Sequence, residues 1–251
     1  MLGLSVPVIV YGITGSETLL GTVAVAQNLP SLFGSPLGGA WSDRHSKRLV
    51  LLGALVAQIV LTAALCEVSR EQAVTVTNLM ALAAAIGFAS SVNLSAYQSL
   101  IADIVPEHQL RPAYRLNAIQ FNLSRAIGPA IAGVVLSRWG PTAAFAINAL
   151  AHLPLVTVLC FLRPRQSRPT HASPGVLAEI LEGARVARGH PALRIALLTV
   201  STSAAFGMTQ QQLAAGLSRE VFHVDEAGLG LLVSAVGLSA GDVGPGQFVS
   251  R

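Results

Sequence analysis

Apolar runs almost free of charge alternate with short polar and charged clusters along the whole chain. A helix needs about 20 mostly apolar residues to cross the hydrocarbon layer of a membrane. By that measure the runs 18–42, 49–66, 72–102, 116–137, 139–162 and 195–218 predict six spanning helices, with Arg125 the one charge inside the fourth of these runs. Two shorter runs, Met1–Ser16 and 227–241, predict partial spans at either end. The opening run has no basic residues ahead of it and is interrupted by Pro7 and Tyr11. It therefore reads as the outer end of a span rather than a secretory signal. Strand-like alternation is missing, which argues against a transmembrane barrel.

Composition agrees with the pattern. The 251 residues are 52% apolar and only 11% charged, with a mean hydropathy of +0.61, so a polar shell for a water-soluble domain cannot be assembled. Aromatic residues are few; the apolar mass is Ala, Val, Leu and Ile with 23 Gly, a mixture suited to helices that approach closely in lipid. The net charge of +4 does not indicate nucleic acid, because the basic residues sit in short clusters without interleaved aromatics to stack on bases. Cys66 and Cys160 lie inside apolar runs without CxxC spacing and read as packing residues.

The clusters also give an orientation. If Met1–Ser16 counts as the first span, the connections after the second, fourth and sixth spans carry eleven Lys and Arg between them, and the alternate connections carry Arg70, Arg138 and Arg219. The richer set is expected in the cytoplasm. The organisation expected is a transmembrane half over 1–162 with an incomplete first span, a cytoplasmic linker over 163–194, the first spans of a second half over 195–241, and an atypical tail over 242–251. In the linker, a Pro- and Arg-rich stretch is followed by Leu177, Ile180, Leu181 and Ala184 at helical spacing, an amphipathic helix ended by Gly189 and Pro191. The tail, with an acid and a Gly-Pro-Gly break, reads as a truncated end.

Three groups of residues carry candidate chemistry. Gly39 is followed by Asp43 and Arg44, then by Lys47 and Arg48, between the second and third spans. Asp43 is expected near the positive end of the third helix, and the bases at the headgroups; an ordinary turn with basic anchors is the plainer reading. In the fifth span, Arg125 precedes Gly128, Pro129 and Gly133. Proline there kinks the helix and the glycines admit a neighbour. Arg125 is costly inside a membrane unless paired or hydrated. It is expected to face a central cavity, with Asn122 and Asn117 on the same helix, and to bind an anionic group; snorkelling is the alternative. Asn148 and His152 share a face of the sixth span, where His152 could titrate or serve as a hydrogen-bonded structural histidine. The small residues Gly34 and Gly38 point to helix packing. There is no Walker A pattern, HExxH or GxSxG, and Gly228 and Gly230 follow no strand, so no enzyme, metal or cofactor is expected.

The segment 39–48 resembles the loop motif of the major facilitator superfamily, with Ser46 in place of the usual glycine and Trp41 in place of an aliphatic residue. The segment 125–133 is similar to the fifth-span motif of exporters in that superfamily, with Ala132 in place of a second glycine. The stretch Ala118–Pro129 and the pair Gly183-Ala-Arg185 and His190-Pro-Ala-Leu-Arg194 resemble its bacterial siderophore- and drug-exporter branch. The resemblance implies an all-α polytopic helix bundle of two six-helix halves, of which this chain carries the first nearly complete and the start of the second. It further implies secondary export of a small amphiphilic or anionic molecule, protons as the coupling ion, the cell membrane as location, and Asp103 pairing with Arg44 as an inner gate. A non-transporting membrane scaffold or partner subunit is the competing expectation. The chain alone is expected to need a second copy or another chain to supply the missing half.

Overall fold

The computed structural model describes residues 2–70, 75–162, 185–196, 198, 199, 202 and 226–239. Among these residues all regular structure is helical. The elements are α1 (Leu2–Thr14), α2 (Glu17–Arg44), α3 (Lys47–Arg70), α4 (Val76–Ile104), a 3-10 turn (Glu107–Gln109), α5 (Leu110–Leu150), α6 (Leu153–Phe161) and α7 (Glu226–Ser239). Residues 185–189 and 191–196 are also helical, separated at His190, just ahead of Pro191.

Local chemistry sets the boundaries. Gly15 turns the chain between α1 and α2 with φ 60°, a region open to glycine. Ser16 then caps α2, its Oγ accepting the Leu19 N–H at 3.4 Å, and Thr75 caps α4 by accepting from Asn78 N–H at 3.3 Å. Gly140, with φ 75° and ψ 179°, kinks α5 sharply, so that the helix consists of two arms.

The predicted runs map onto these elements with shifts of a few residues. Run 18–42 is α2, 49–66 is α3, 72–102 is α4, 116–137 is the first arm of α5, and 227–241 overlaps α7. The fifth run, 139–162, is not one rod: it comprises the second arm of α5 and α6, broken at Ala151 and His152 ahead of Pro154. Three stretches are long and apolar enough to cross a membrane among the described residues: α3, α4 and the 55 residues Glu107–Phe161. α2 has the length, at 28 residues, but a less apolar make-up. Two of its polar side chains bond locally, Asn28 donating to the Ala24 carbonyl at 2.8 Å and Ser31 to the Asn28 carbonyl. Most of the run 195–218, the linker helix expected over 177–184 and the tail 242–251 lie outside the described residues.

α2 packs along α4, α3 along α4 and α5, and α7 along α5. Three apolar clusters fill the spaces. One joins α1 to α2, α3, α4 and α5 through Val6, Val10, Leu20, Leu65, Leu79 and Phe145. A second joins α3, α4 and α6 through Leu51, Leu55, Ala96, Leu100 and Leu159. The third joins both arms of α5 to Leu229 and Val233 of α7.

Candidate functional site

The motif between the second and third spans is helical for most of its length. Gly39 to Arg44 form the last turns of α2, His45 and Ser46 bridge, and α3 begins at Lys47. His45 is extended, and its N–H closes α2 on the Trp41 carbonyl at 2.9 Å. So short a connection holds the four charges within two helix ends, as follows.

Lys47 Nζ stands 2.7 Å from Asp103 Oδ1 and 3.4 Å from the Ser99 carbonyl. Both side chains are largely screened from solvent, at 24% and 16% exposure. α3 is thereby tied to the end of α4. Arg48 reaches the other way and donates to the Cys160 carbonyl at 2.8 Å. That carbonyl belongs to the last turn of α6, where acceptors lack helical donors and a cation is favoured. Arg48 Nε is buried without a partner among the described residues. The expected pairing of Asp103 with Arg44 is not the one observed. Arg44 is exposed at the last residue of α2, whereas Lys47, on the first turn of α3, faces α4. Asp43 is likewise exposed and sits in the last turn of α2 rather than at the start of α3, with no ion pair among the described residues.

Gly39 meets nothing within 4 Å of an added Cβ, whereas at Gly38 such an atom would lie 2.8 Å from Val92 Cα. The steric glycine is thus the neighbour of the one the motif picked out. Gly34 abuts Ser91 and the Phe88 carbonyl, and Gly87 abuts the Gln27 carbonyl, so α2 and α4 touch backbone to side chain along several turns. Ser35 and Ser95 hydroxyls meet across the same seam at 3.1 Å.

In α5, Pro129 and Gly133 receive α7. A Cβ at Gly230 would stand 2.5 Å from the Pro129 carbonyl oxygen and 3.0 Å from Gly133 Cα. One turn along, the Ala130 N–H donates to Ser234 Oγ at 2.9 Å. Gly128 has open space and takes no part. Arg125 is exposed, its guanidinium 6.0 Å from the Phe121 ring centre, at the outer limit for a cation–π contact. Asn122 is exposed as well, and Asn117 half-buried. Asn148 and His152 do meet, but through the backbone: the imidazole Nδ1 lies 2.8 Å from the Asn148 carbonyl oxygen. An apolar cleft of about 360 Å³ between α2, α3 and α4 is lined by Trp41, His45, Leu49, Gly53, Phe88 and Val92, among others. None of Asn117, Asn122, Arg125, Asn148 or His152 lines it.

The sequence reading missed Gln58 on α3, which accepts the Ser90 hydroxyl of α4 at 3.3 Å, and Ser234 on α7. Gln58 could have been found as the polar interruption of the run 49–66. Ser234 carries no comparable signal, because serine is common in such helices.

A glycine-seamed bundle, a charged rim binding three helix ends, and a Gly-Pro kink clasped by a later helix together narrow the family. The profile of the transmembrane secretion effector family matches residues 5–251. The chain belongs to this major facilitator family. Curated relatives are similar at lower coverage. The "Staphyloferrin A transporter" of Staphylococcus aureus (strain NCTC 8325 / PS 47) is 27% identical over 142 residues, 56% of this chain and 36% of the relative. "Macrolide efflux protein A" of Streptococcus pyogenes is 26% identical over 191 residues, 75% and 47% of the two chains. The Enterococcus faecalis protein of that name is 28% identical over 189 residues, 74% and 56%. The chain thus spans about half the length, or less, of these relatives. Family membership makes it an all-α, multi-pass membrane helix bundle of a transporter family.

Proposed function

We propose that the chain forms the first half, and the start of the second, of a secondary transporter that exports a small amphiphilic or anionic molecule in exchange for protons. The basic rim of Arg44, Lys47 and Arg48 faces the cytoplasm in this reading, following the asymmetry of loop charge. The observation that carries it is the rim itself: Lys47 and Arg48 hold α3 to α4 and α6, while Asp43 and Arg44 stay exposed beside them. Charges arranged this way can bias the inward–outward equilibrium without touching substrate, because exposed members are free to pair across a rim that closes. Arg125 supplies the anion-binding contact in the half-membrane it occupies. The siderophore and macrolide transporters among the relatives support the substrate class. A full cycle needs a second six-helix half to rock against the first, from further sequence, a second copy or another chain.

The test is proton-gradient-driven efflux from vesicles, using the gene as it occurs naturally. Asp43→Asn is expected to slow gradient-driven efflux, and Arg125→Ala to weaken substrate binding with proton leak unchanged. Unaltered efflux in both variants would remove both assignments. The apolar first arm of α5, with Leu116, Ile119, Phe121 and Leu123 exposed, also suits a partner-subunit role. That reading predicts a stable complex with another membrane protein and no substrate-dependent effect of Arg125→Ala.

A further inference from the structure

The cleft between α2, α3 and α4 exists because small residues meet there. Gly53, Ala54 and Ala57 of α3 and Ala89 of α4 line it, and none carries more than a methyl group. Larger side chains, Trp41, Leu49 and Phe88, stand around them. The space of about 360 Å³ falls at the lower end of the ~300–1,000 Å³ typical of sites for small organic ligands. Apart from the Trp41 indole, His45 is the one polar side chain in the lining. A ligand held here is therefore held chiefly by dispersion, and it restores contacts that the small residues forfeit.

The cleft opens towards lipid. Leu49, Gly53, Val56 and Val60 are exposed and recur at helical spacing, so they form one apolar stripe on α3. α3 is long and apolar enough to cross a membrane, and on such a helix an exposed apolar stripe meets hydrocarbon. Leu49 and Gly53 belong both to the stripe and to the cleft. Along α3 the lining runs from Leu49 to Ala57, about 12 Å of helical rise. That depth is most of one leaflet's share of a hydrocarbon layer about 30 Å thick. The upper end lies next to Lys47 and Arg48, where the helix becomes charged.

The mouth of the cleft is cationic. Trp41, 44% exposed, belongs to a residue type that settles at headgroup level. Arg44 follows it by three residues and lies on the same side of α2, whereas Asp43 follows by two and lies on the opposite side. Both are exposed. Lys47 is engaged with Asp103, and Arg48 with the Cys160 carbonyl. Arg44 is thus the exposed cation beside the cleft, and a cation above an apolar slot complements an anionic head on a hydrocarbon tail. We propose that the cleft binds one anionic phospholipid from the leaflet at the basic rim, with an acyl chain along Gly53 and Ala57 and the phosphate at Arg44. The site does not depend on what the protein transports.

The test is photolabelling of the full chain in phosphatidylcholine nanodiscs that carry a trace of phosphatidylglycerol with a diazirine midway along one acyl chain, the adducts being mapped by mass spectrometry. Adducts are expected on residues 49–57 and 88–92. Unlabelled phosphatidylglycerol should suppress them and spare those on Val60, which lies on the same stripe outside the cleft. A Cβ at Gly53 meets nothing within 4 Å, so Gly53→Leu places its side chain in open space and should abolish the suppressible adducts. Arg44→Gln should lower the preference for phosphatidylglycerol over a phosphatidylcholine probe by about fivefold, and Arg44→Lys should keep it. Adducts on 49–57 that resist unlabelled phosphatidylglycerol, or that survive in Gly53→Leu, overturn the proposal. Should Gly53→Leu fail to assemble, the competition on the unaltered chain decides. An unlabelled cleft beside a labelled Val60, the result expected if another protein segment covers the cleft, overturns the proposal as well. So does equal labelling by the two probes, or a preference unchanged in Arg44→Gln.

Discussion

Two glycine seams in the bundle differ in kind. Between α2 and α4, Gly34, Gly38 and Gly87 each face backbone or side-chain atoms of the other helix, with a Ser35–Ser95 contact between them. Between α5 and α7, Gly230 makes a close approach against Pro129 and Gly133, and the Ala130 N–H donates to Ser234 beside it. Small residues let helices gain dispersion contact where lipid offers no hydrophobic drive. A seam of close glycine contacts repeated over several turns resists sliding more than one with a single close glycine contact. The first joins α2 to α4. The second joins α5 to α7, which in the proposed two-half organisation follows the linker, where alternating access would require movement.

Substitutions can break this contrast, and the largest effect is expected in the repeated seam. Gly87→Leu drives side-chain atoms into the Gln27 carbonyl, which cannot retreat, and should cost about 3 kcal/mol or more, read as loss of the monodisperse species in detergent. Gly230→Val meets the Pro129 carbonyl and should part α7 from α5 while leaving α1–α6 assembled; a crosslink between cysteines placed on α5 and α7 would disappear, but one between α2 and α4 would persist. Equal loss of both crosslinks would show the seams to be one unit. Lys47→Met leaves Asp103 largely buried and unpaired and is expected to cost roughly 2 kcal/mol of thermal stability, recovered in part by the double variant Lys47→Met/Asp103→Leu. Ser234→Ala is the smallest, about 0.6 kcal/mol, measured as faster exchange of the Ala130 amide hydrogen.

The helices were legible because hydrocarbon imposes a length and excludes charge, and both leave marks in the sequence. Run 49–66 lacks only the polar ends that complete α3. The glycine-rich α2 was legible as a packing helix for the same reason, though Gly38 rather than Gly39 meets its neighbour. Pairing was harder. Asp103 was found, but its partner was not, because Arg44 and Lys47 differ by less than one helical turn and only the junction at His45 and Ser46 decides which of them turns toward α4. The break at His152 follows from Pro154, two residues on, yet a run of apolar residues conceals it. Arg125 stood out by charge alone, and charge does not say which way a side chain points.

Arg48 on the Cys160 carbonyl has a mechanical meaning. α6 ends at Phe161 and the chain leaves it at Leu162, about half a turn beyond a point stapled to α3. Tension arriving through the linker therefore cannot be absorbed by unwinding α6 alone; it is delivered to the first turn of α3, and through Lys47 to α4. The exit point works as a lever arm whose fulcrum is the same short motif that marks the family.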